Sequence, residues 1–188
     1  PFFRERFLFV KGTSFMKLYI VGPVASGKST MARQVSQLTG IPCFHLDQVV
    51  YQKDPEKPSG NYKRPVEERD RLFHAILARD SYVLEDTGRV CFLEGMQHAD
   101  RIILLDTSGI LRRKRIVTRW IRQNFKLEPC DYRPNFTMLR DMFRWSRAYE
   151  TGEDGTRRRA LQFSEKLTVL HSPREIKNFL SSIAHEQA

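Results

Sequence analysis

Hydrophobic positions along this chain alternate between two rhythms. Strand-length apolar runs occupy 17–21, 41–46, 81–84, 101–105 and 167–170. Between them apolar residues recur every three or four positions: Met31, Val35 and Leu38 within 29–38, then Leu72, Phe73, Ile76 and Leu77 within 66–79. That spacing predicts amphipathic helices. Further helices are predicted over 107–127, 136–149, 156–165 and 173–183. The last begins at Pro173, whose missing N–H is harmless in a first turn. Residues 52–65 are rich in proline and charge and read as a loop. Strands alternating with helices predict an α/β sandwich around a mostly parallel sheet. The last three strand runs are apolar almost throughout, as a sheet covered on both faces requires.

Composition narrows the class. Hydrophobic residues make up 40% of the 188-residue chain and charged residues 29%, the balance of an ordinary soluble globular domain. No apolar run approaches the ~20 residues of a membrane span. The first ten residues lack the long apolar stretch and small-residue cleavage site of a secretory signal. Met16 immediately precedes the first strand, so 1–15 is expected to be an N-terminal extension and 16–188 a single domain. Cys43, Cys91 and Cys130 have neither metal-site spacing nor even pairing, which fits a reducing cytoplasm. A net charge of +10 calls for an anionic partner, either nucleotide phosphates or nucleic acid.

One segment carries specific chemistry. Gly22-Pro23-Val24-Ala25-Ser26-Gly27-Lys28-Ser29 is a complete G-x-x-x-x-G-K-S phosphate-binding loop, set between a strand and a helix opening at Ser29-Thr30. Its glycines let the backbone turn tightly and aim N–H groups at an anion. Lys28 reaches the β- and γ-phosphates, and the Ser29 hydroxyl ligates Mg²⁺. The helix N-terminus adds its dipole. ATP and Mg²⁺ are the expected cofactors, with 22–30 as the binding segment.

Ligands of such sheets sit at the carboxyl ends of the strands, where Asp47, Glu85, Asp86 and Asp106 fall. Phosphoryl transfer depends on charge neutralisation and in-line positioning. Glu85 or Asp86, with Asp106 as a further candidate, would orient Mg²⁺ through water. Asp47 is expected near the acceptor, with Arg89 as an anion clamp. Residues 107–127 hold seven Lys and Arg and no acid. Arg112, Arg115, Arg119 and Arg122 fall within about 80° of helix arc, so part of this stripe, Arg119 and Arg122 foremost, is expected to face phosphates. Ile110, Ile116, Val117, Trp120 and Ile121 lie opposite and are expected to pack on the sheet. The arginine-laden excursion 123–160 suits a lid, and 47–80 an acceptor-binding segment. Trp120 and Trp145 read as core residues, His45 and His171 as structural ones. A nucleotide-gated, nucleic-acid-associated regulator is the competing reading, since clustered Lys and Arg supply salt-dependent phosphate binding. No helix-turn-helix, zinc-finger or RNA-binding motif accompanies them.

The stretch MKLYIVGPVASGKSTMARQVSQLTGIPCFHLDQVVY resembles the adenylate-kinase-related P-loop proteins of the DNA topology modulation (FlaR-type) family. In these a His-Leu-Asp follows the second strand, here His45-Leu46-Asp47. The resemblance continues through HADRIILLD and the arginine-rich helix to LTVLHSPREIKNFL, with Ser172-Pro173-Arg174-Glu175 pointing to the same branch. It implies a three-layer P-loop, nucleoside-monophosphate-kinase-like fold with a five-stranded parallel sheet, an acceptor segment and a lid. The phosphate loop, the carboxylates on the same rim and the basic lid together point to a kinase moving the γ-phosphate of MgATP to a nucleotide or similar small acceptor. Related small-molecule kinases place an Asp matching Asp47 against the acceptor. Adenylate kinases carry Asp-Gly after the third strand and an acceptor-binding Arg beyond it; Glu85-Asp86 replaces Asp-Gly here, and Arg89 keeps the spacing.

Overall fold

The computed structural model describes residues 16–128 and 130–187; the expected extension 1–15 lies outside the described residues. The chain runs β1 (Lys17–Val21), α1 (Lys28–Thr39), β2 (Cys43–His45), α2 (Leu46–Val50), β3 (Tyr51–Lys53), β4 (Asn61–Lys63) and α3 (Val66–Leu77). It continues through β5 (Tyr82–Asp86), α4 (Leu93–His98), β6 (Arg101–Leu105), α5 (Gly109–Asn124) and α6 (Phe136–Thr151). It ends with α7 (Thr156–Leu161), β7 (Leu167–Leu170) and α8 (Pro173–Gln187). Five strands form one parallel sheet in the order β2-β5-β1-β6-β7.

The strand sequences build the three layers. Along β1 and β6, Tyr19, Val21, Ile102 and Leu104 point to one face, where they meet Phe73 of α3 and Met96 of α4. Leu18, Ile20, Ile103 and Leu105 point to the other and pack with Met31 and Val35 of α1 and Ile183 of α8. Each fully buried Leu, Ile or Val contributes about 1.5–3 kcal/mol, so a central strand apolar on both faces is the strongest single commitment to this order. At the start of α8, Ser172 Oγ accepts the Glu175 N–H (3.2 Å) and Glu175 accepts the His171 N–H (2.9 Å). This capping arrangement fixes the helix boundary predicted from Pro173.

Three expectations need correction. The charged stretch 52–65 is not a plain loop: β3 and β4 pair as an antiparallel hairpin, preceded by the short helix α2. Each hairpin strand has three residues and none is buried, so there was no apolar alternation to read. The apolar side of α5 does not pack on the sheet. Ile116 is buried, but Ile110, Val117 and Ile121 are exposed, because α5 lies against α6 instead. Trp145 is not a core residue and is 47% exposed; Trp120 is partly covered by Phe136, with ring centroids 5.0 Å apart.

Candidate active site

The phosphate loop joins β1 to α1. Gly22 has φ 154°, and a Cβ there would stand 2.7 Å from the Leu105 carbonyl oxygen; Gly27, at φ 104°, caps α1 in the left-handed region. Only glycine meets both demands, which explains the motif's spacing. Lys28 is buried. Its Nζ donates to the Pro23 carbonyl (2.9 Å) and lies 3.6 Å from Glu85 Oε1. Arg115 of α5 donates to the carbonyls of Ser26 (2.8 Å) and Ala25 (3.3 Å), holding the loop from outside. Thr30, in the first turn of α1, is exposed.

Glu85 and Asp86 are adjacent at the end of β5, and strand alternation separates their chemistry. Glu85 bonds His45 Nδ1 (2.9 Å) and faces Lys28 and Ser29. Burial pushes its carboxyl up, but His45, Lys28 and Ser29 together hold it below the usual carboxylate value. Asp86 turns the other way. It accepts the backbone N–H groups of Gly88 (2.7 Å) and Arg89 (2.6 Å) and the Tyr19 hydroxyl (3.3 Å). The Arg89 guanidinium bridges Asp86 and Asp47, and this double pairing raises its pKa against the effect of burial. Asp47 and Arg89, 42 positions apart in sequence, thus form one clasp with Asp86. Asp47 lies in the first turn of α2, two residues past the end of β2.

His45, expected to be structural, pairs with the Glu85 carboxylate that faces the phosphate loop. Its Nε2 is 4.0 Å from Cys43 Sγ, and the Cys43 and Glu85 partners push its pKa up to about 10. Both partners favour the charged ring. The signal was available: Cys43 and His45 are two apart on a strand and share a side. Asp106 is tied to the lid-like segment by Tyr149 (2.8 Å) and Arg157 (2.8 Å).

The arginine stripe divides. Arg112 is fully buried and bonds Ser146 Oγ (3.1 Å), Glu150 Oε1 (2.8 Å) and the Thr107 carbonyl. Arg115 holds the phosphate loop. Arg119 lines the site cavity and stands 3.5 Å from Glu128. Arg122 also pairs with Glu128 (3.6 Å) and is not on the cavity wall. The stripe is consequently not a continuous basic face.

One cavity of about 1060 Å³ connects these groups. It runs from Pro23, Val24 and Ser29 past Asp47 and Arg89 to the hairpin and one face of α6. Residues 130–160 meet the rest of the cavity wall in two places. Asp131 accepts from Asn61 through its carbonyl (2.9 Å) and pairs with Lys53 (2.6 Å) on the hairpin. Thr156 and Arg159 donate to the Thr87 and Gly88 carbonyls (2.9 and 2.8 Å). Among the described residues no cluster of three or more His, Cys, Asp and Glu could hold a metal by itself. Mg²⁺ takes few protein ligands and completes its shell with water and substrate phosphates. The Ser29 hydroxyl and the ionised Glu85 carboxylate beside it fit that requirement. No helix among the described residues is long and apolar enough to cross a membrane.

No family model matches the chain, and no curated protein matches it in sequence. Solved structures do resemble it in fold. A shikimate kinase from Acinetobacter baumannii in complex with shikimate is 18% identical with a TM-score of 0.54, covering 90% of each chain. A shikimate kinase from Bacteroides thetaiotaomicron has a TM-score of 0.54 at 14% identity, over 90% of this chain and 97% of that one. Deoxyadenosine kinase from M. mycoides with bound dATP has a TM-score of 0.53 at 14% identity, over 91% and 98%. These likenesses establish the P-loop, nucleoside-monophosphate-kinase-like fold.

Proposed function

We propose that the protein is an ATP-dependent small-molecule kinase, moving the γ-phosphate of MgATP to an acceptor held in the cavity. The observation that carries this reading is the convergence on one cavity of the phosphate loop, at Pro23, Val24 and Ser29, and the Asp47–Arg89 pair. A triphosphate tail on the loop would point its terminal phosphate into the space these two groups line. Fold neighbours that are kinases, of shikimate and of deoxyadenosine, agree with it. The FlaR-type resemblance of the His45-Leu46-Asp47 stretch gives it a branch.

Each residue then has a task. Lys28 exchanges its hold on the Pro23 carbonyl and Glu85 for the β- and γ-phosphates. Ser29 and, through water, Glu85 would hold Mg²⁺, which offsets charge on the transferring group. His45 stays with Glu85 as its counter-charge when Lys28 leaves. Arg119 releases Glu128 to neutralise the phosphoryl oxygens, and Arg122, sharing that carboxylate, is a reserve cation. Asp47 accepts the acceptor's proton. Electrostatic stabilisation of this kind is the main contribution a protein makes to phosphoryl transfer.

The direct test is calorimetry with MgATP on wild type and Lys28→Ala. Wild type is expected to bind and the variant to lose at least tenfold in affinity while its unfolding curve stays cooperative. Equal affinity in the two would remove the site.

A further inference from the structure

The charges and surfaces of the cavity narrow what its acceptor can be, on the premise that the protein is a kinase. The clasp at the acceptor end has two carboxylates, Asp47 and Asp86, on one guanidinium, Arg89. Its net charge is negative. Lys53 pairs with Asp131 (2.6 Å) and Arg64 with Glu68 (2.6 Å), while Arg159 is held only by the Gly88 and Asp154 carbonyls. A phosphate or carboxylate that engages the clasp itself would have to take Arg89 from Asp47 and leave two anions facing each other. A hydroxyl has no such difficulty, because it donates to Asp47 and leaves the clasp whole.

The far wall has a different character. On α6, Met138, Met142 and Trp145 stand at positions i, i+4 and i+7, on the helix face that lines the cavity. Tyr51 of β3 lines it too. Trp145 is 47% exposed and Tyr51 41% exposed, although both rings are large enough to dominate a core. A half-open indole, a phenol ring and two thioethers around one space suit a flat ring system. The volume agrees, being just above the ~300–1,000 Å³ range of ordinary ligand sites and ample for a triphosphate tail plus a ring-bearing acceptor.

We propose that the acceptor is an uncharged, ring-bearing hydroxyl compound of the nucleoside type, and not a nucleoside monophosphate or a hydroxy acid. The acceptor oxygen bonds to the γ-phosphorus and its proton passes to Asp47. The bond from that phosphorus to the β,γ-bridging oxygen breaks, and ADP leaves with the electron pair. The products are the acceptor's phosphate monoester and ADP.

The test is transfer of radiolabelled γ-phosphate from MgATP by the full chain. The panel comprises ribo- and deoxyribonucleosides, the matching monophosphates, shikimate, and ringless polyols. At least one nucleoside should be phosphorylated tenfold or more above every monophosphate, acid and polyol. Trp145→Ala, a change at a half-exposed side chain, should raise the nucleoside KM at least tenfold and leave the ATP KM within twofold. Asp47→Asn should lower kcat and, by freeing Arg89, strengthen monophosphate binding measured by calorimetry. Preference for a monophosphate or an acid overturns the charge argument, with the kinase reading intact. A Trp145 effect on ATP alone, or equal use of ringless polyols, overturns the ring argument. Should MgATP bind with no nucleoside phosphorylated, the inference fails alone; should MgATP not bind, the kinase reading fails with it.

Discussion

Arg112→Met asks whether the most buried arginine of the stripe serves the ligand or the fold. Arg112 is 2% exposed, and its guanidinium ties α5 to α6 through Ser146, Glu150 and the carbonyl of Thr107. Methionine keeps much of the aliphatic stem and deletes the donors. The Thr107 carbonyl and Ser146 hydroxyl would then lose their partner, at about 1–3 kcal/mol for each buried group left unsatisfied. Glu150 adds less, because its side chain is 34% exposed and water plus Arg113, at 3.6 Å, can take over. The sum is about 2–6 kcal/mol, spanning the range for breaking a buried pair and a large share of the ~5–15 kcal/mol stability of a typical domain. At roughly 2–4 °C per kcal/mol for a chain of this size, the melting temperature should drop by about 4–24 °C. Glu150→Gln in both backgrounds should show coupling of about 0.5–1 kcal/mol. Urea unfolding and MgATP calorimetry on the same samples separate the alternatives. An unchanged unfolding midpoint combined with a tenfold loss of ATP affinity would refute the structural assignment and return Arg112 to the phosphates.

His45→Gln should show a pH-dependent cost. The ring's raised pKa makes its contribution complete below the ordinary value of 6.5 and lost as pH climbs through about 10. The lowered carboxyl of Glu85 contributes above 4.5 and loses its part as pH falls below that. The gap between wild type and variant, about 2 kcal/mol after discounting for partial solvent access, should therefore be widest between those two ordinary values and narrow in alkali. A gap constant with pH would show that the ring acts by packing alone. Gly88→Ala should destabilise by about 1–3 kcal/mol, since φ is +91° and the new Cβ would meet Thr156 Cγ2 at 2.6 Å. Thr156→Ser, which removes that methyl, should recover part of the loss in a thermal melt; no loss at all would mean the contact is loose.

Much of this protein was legible in its sequence because the relevant physics is local. A phosphate loop is made by eight consecutive residues whose own backbone forms the cradle, so Gly22 to Ser29 announced it without any knowledge of the fold. Strand runs such as 101–105 report their burial by composition, and parallel order followed from alternation with helices. The hairpin at Tyr51–Lys53 and Asn61–Lys63 escaped because its three-residue strands bury no side chain and so carry no apolar alternation.

What tertiary structure alone decided is the partnership of distant charges. The sequence set four arginines on one arc of α5, but how that helix rolls against α6 determined that Arg112 is buried, Arg115 holds the loop and Arg119 reaches the cavity. Asp47 and Arg89, like His45 and Glu85, are about 40 positions apart and meet only because β2 lies beside β5. Periodicity fixes which face of an element is apolar. It carries no information on which neighbour that face meets, and the electrostatics of the site depend on the neighbour.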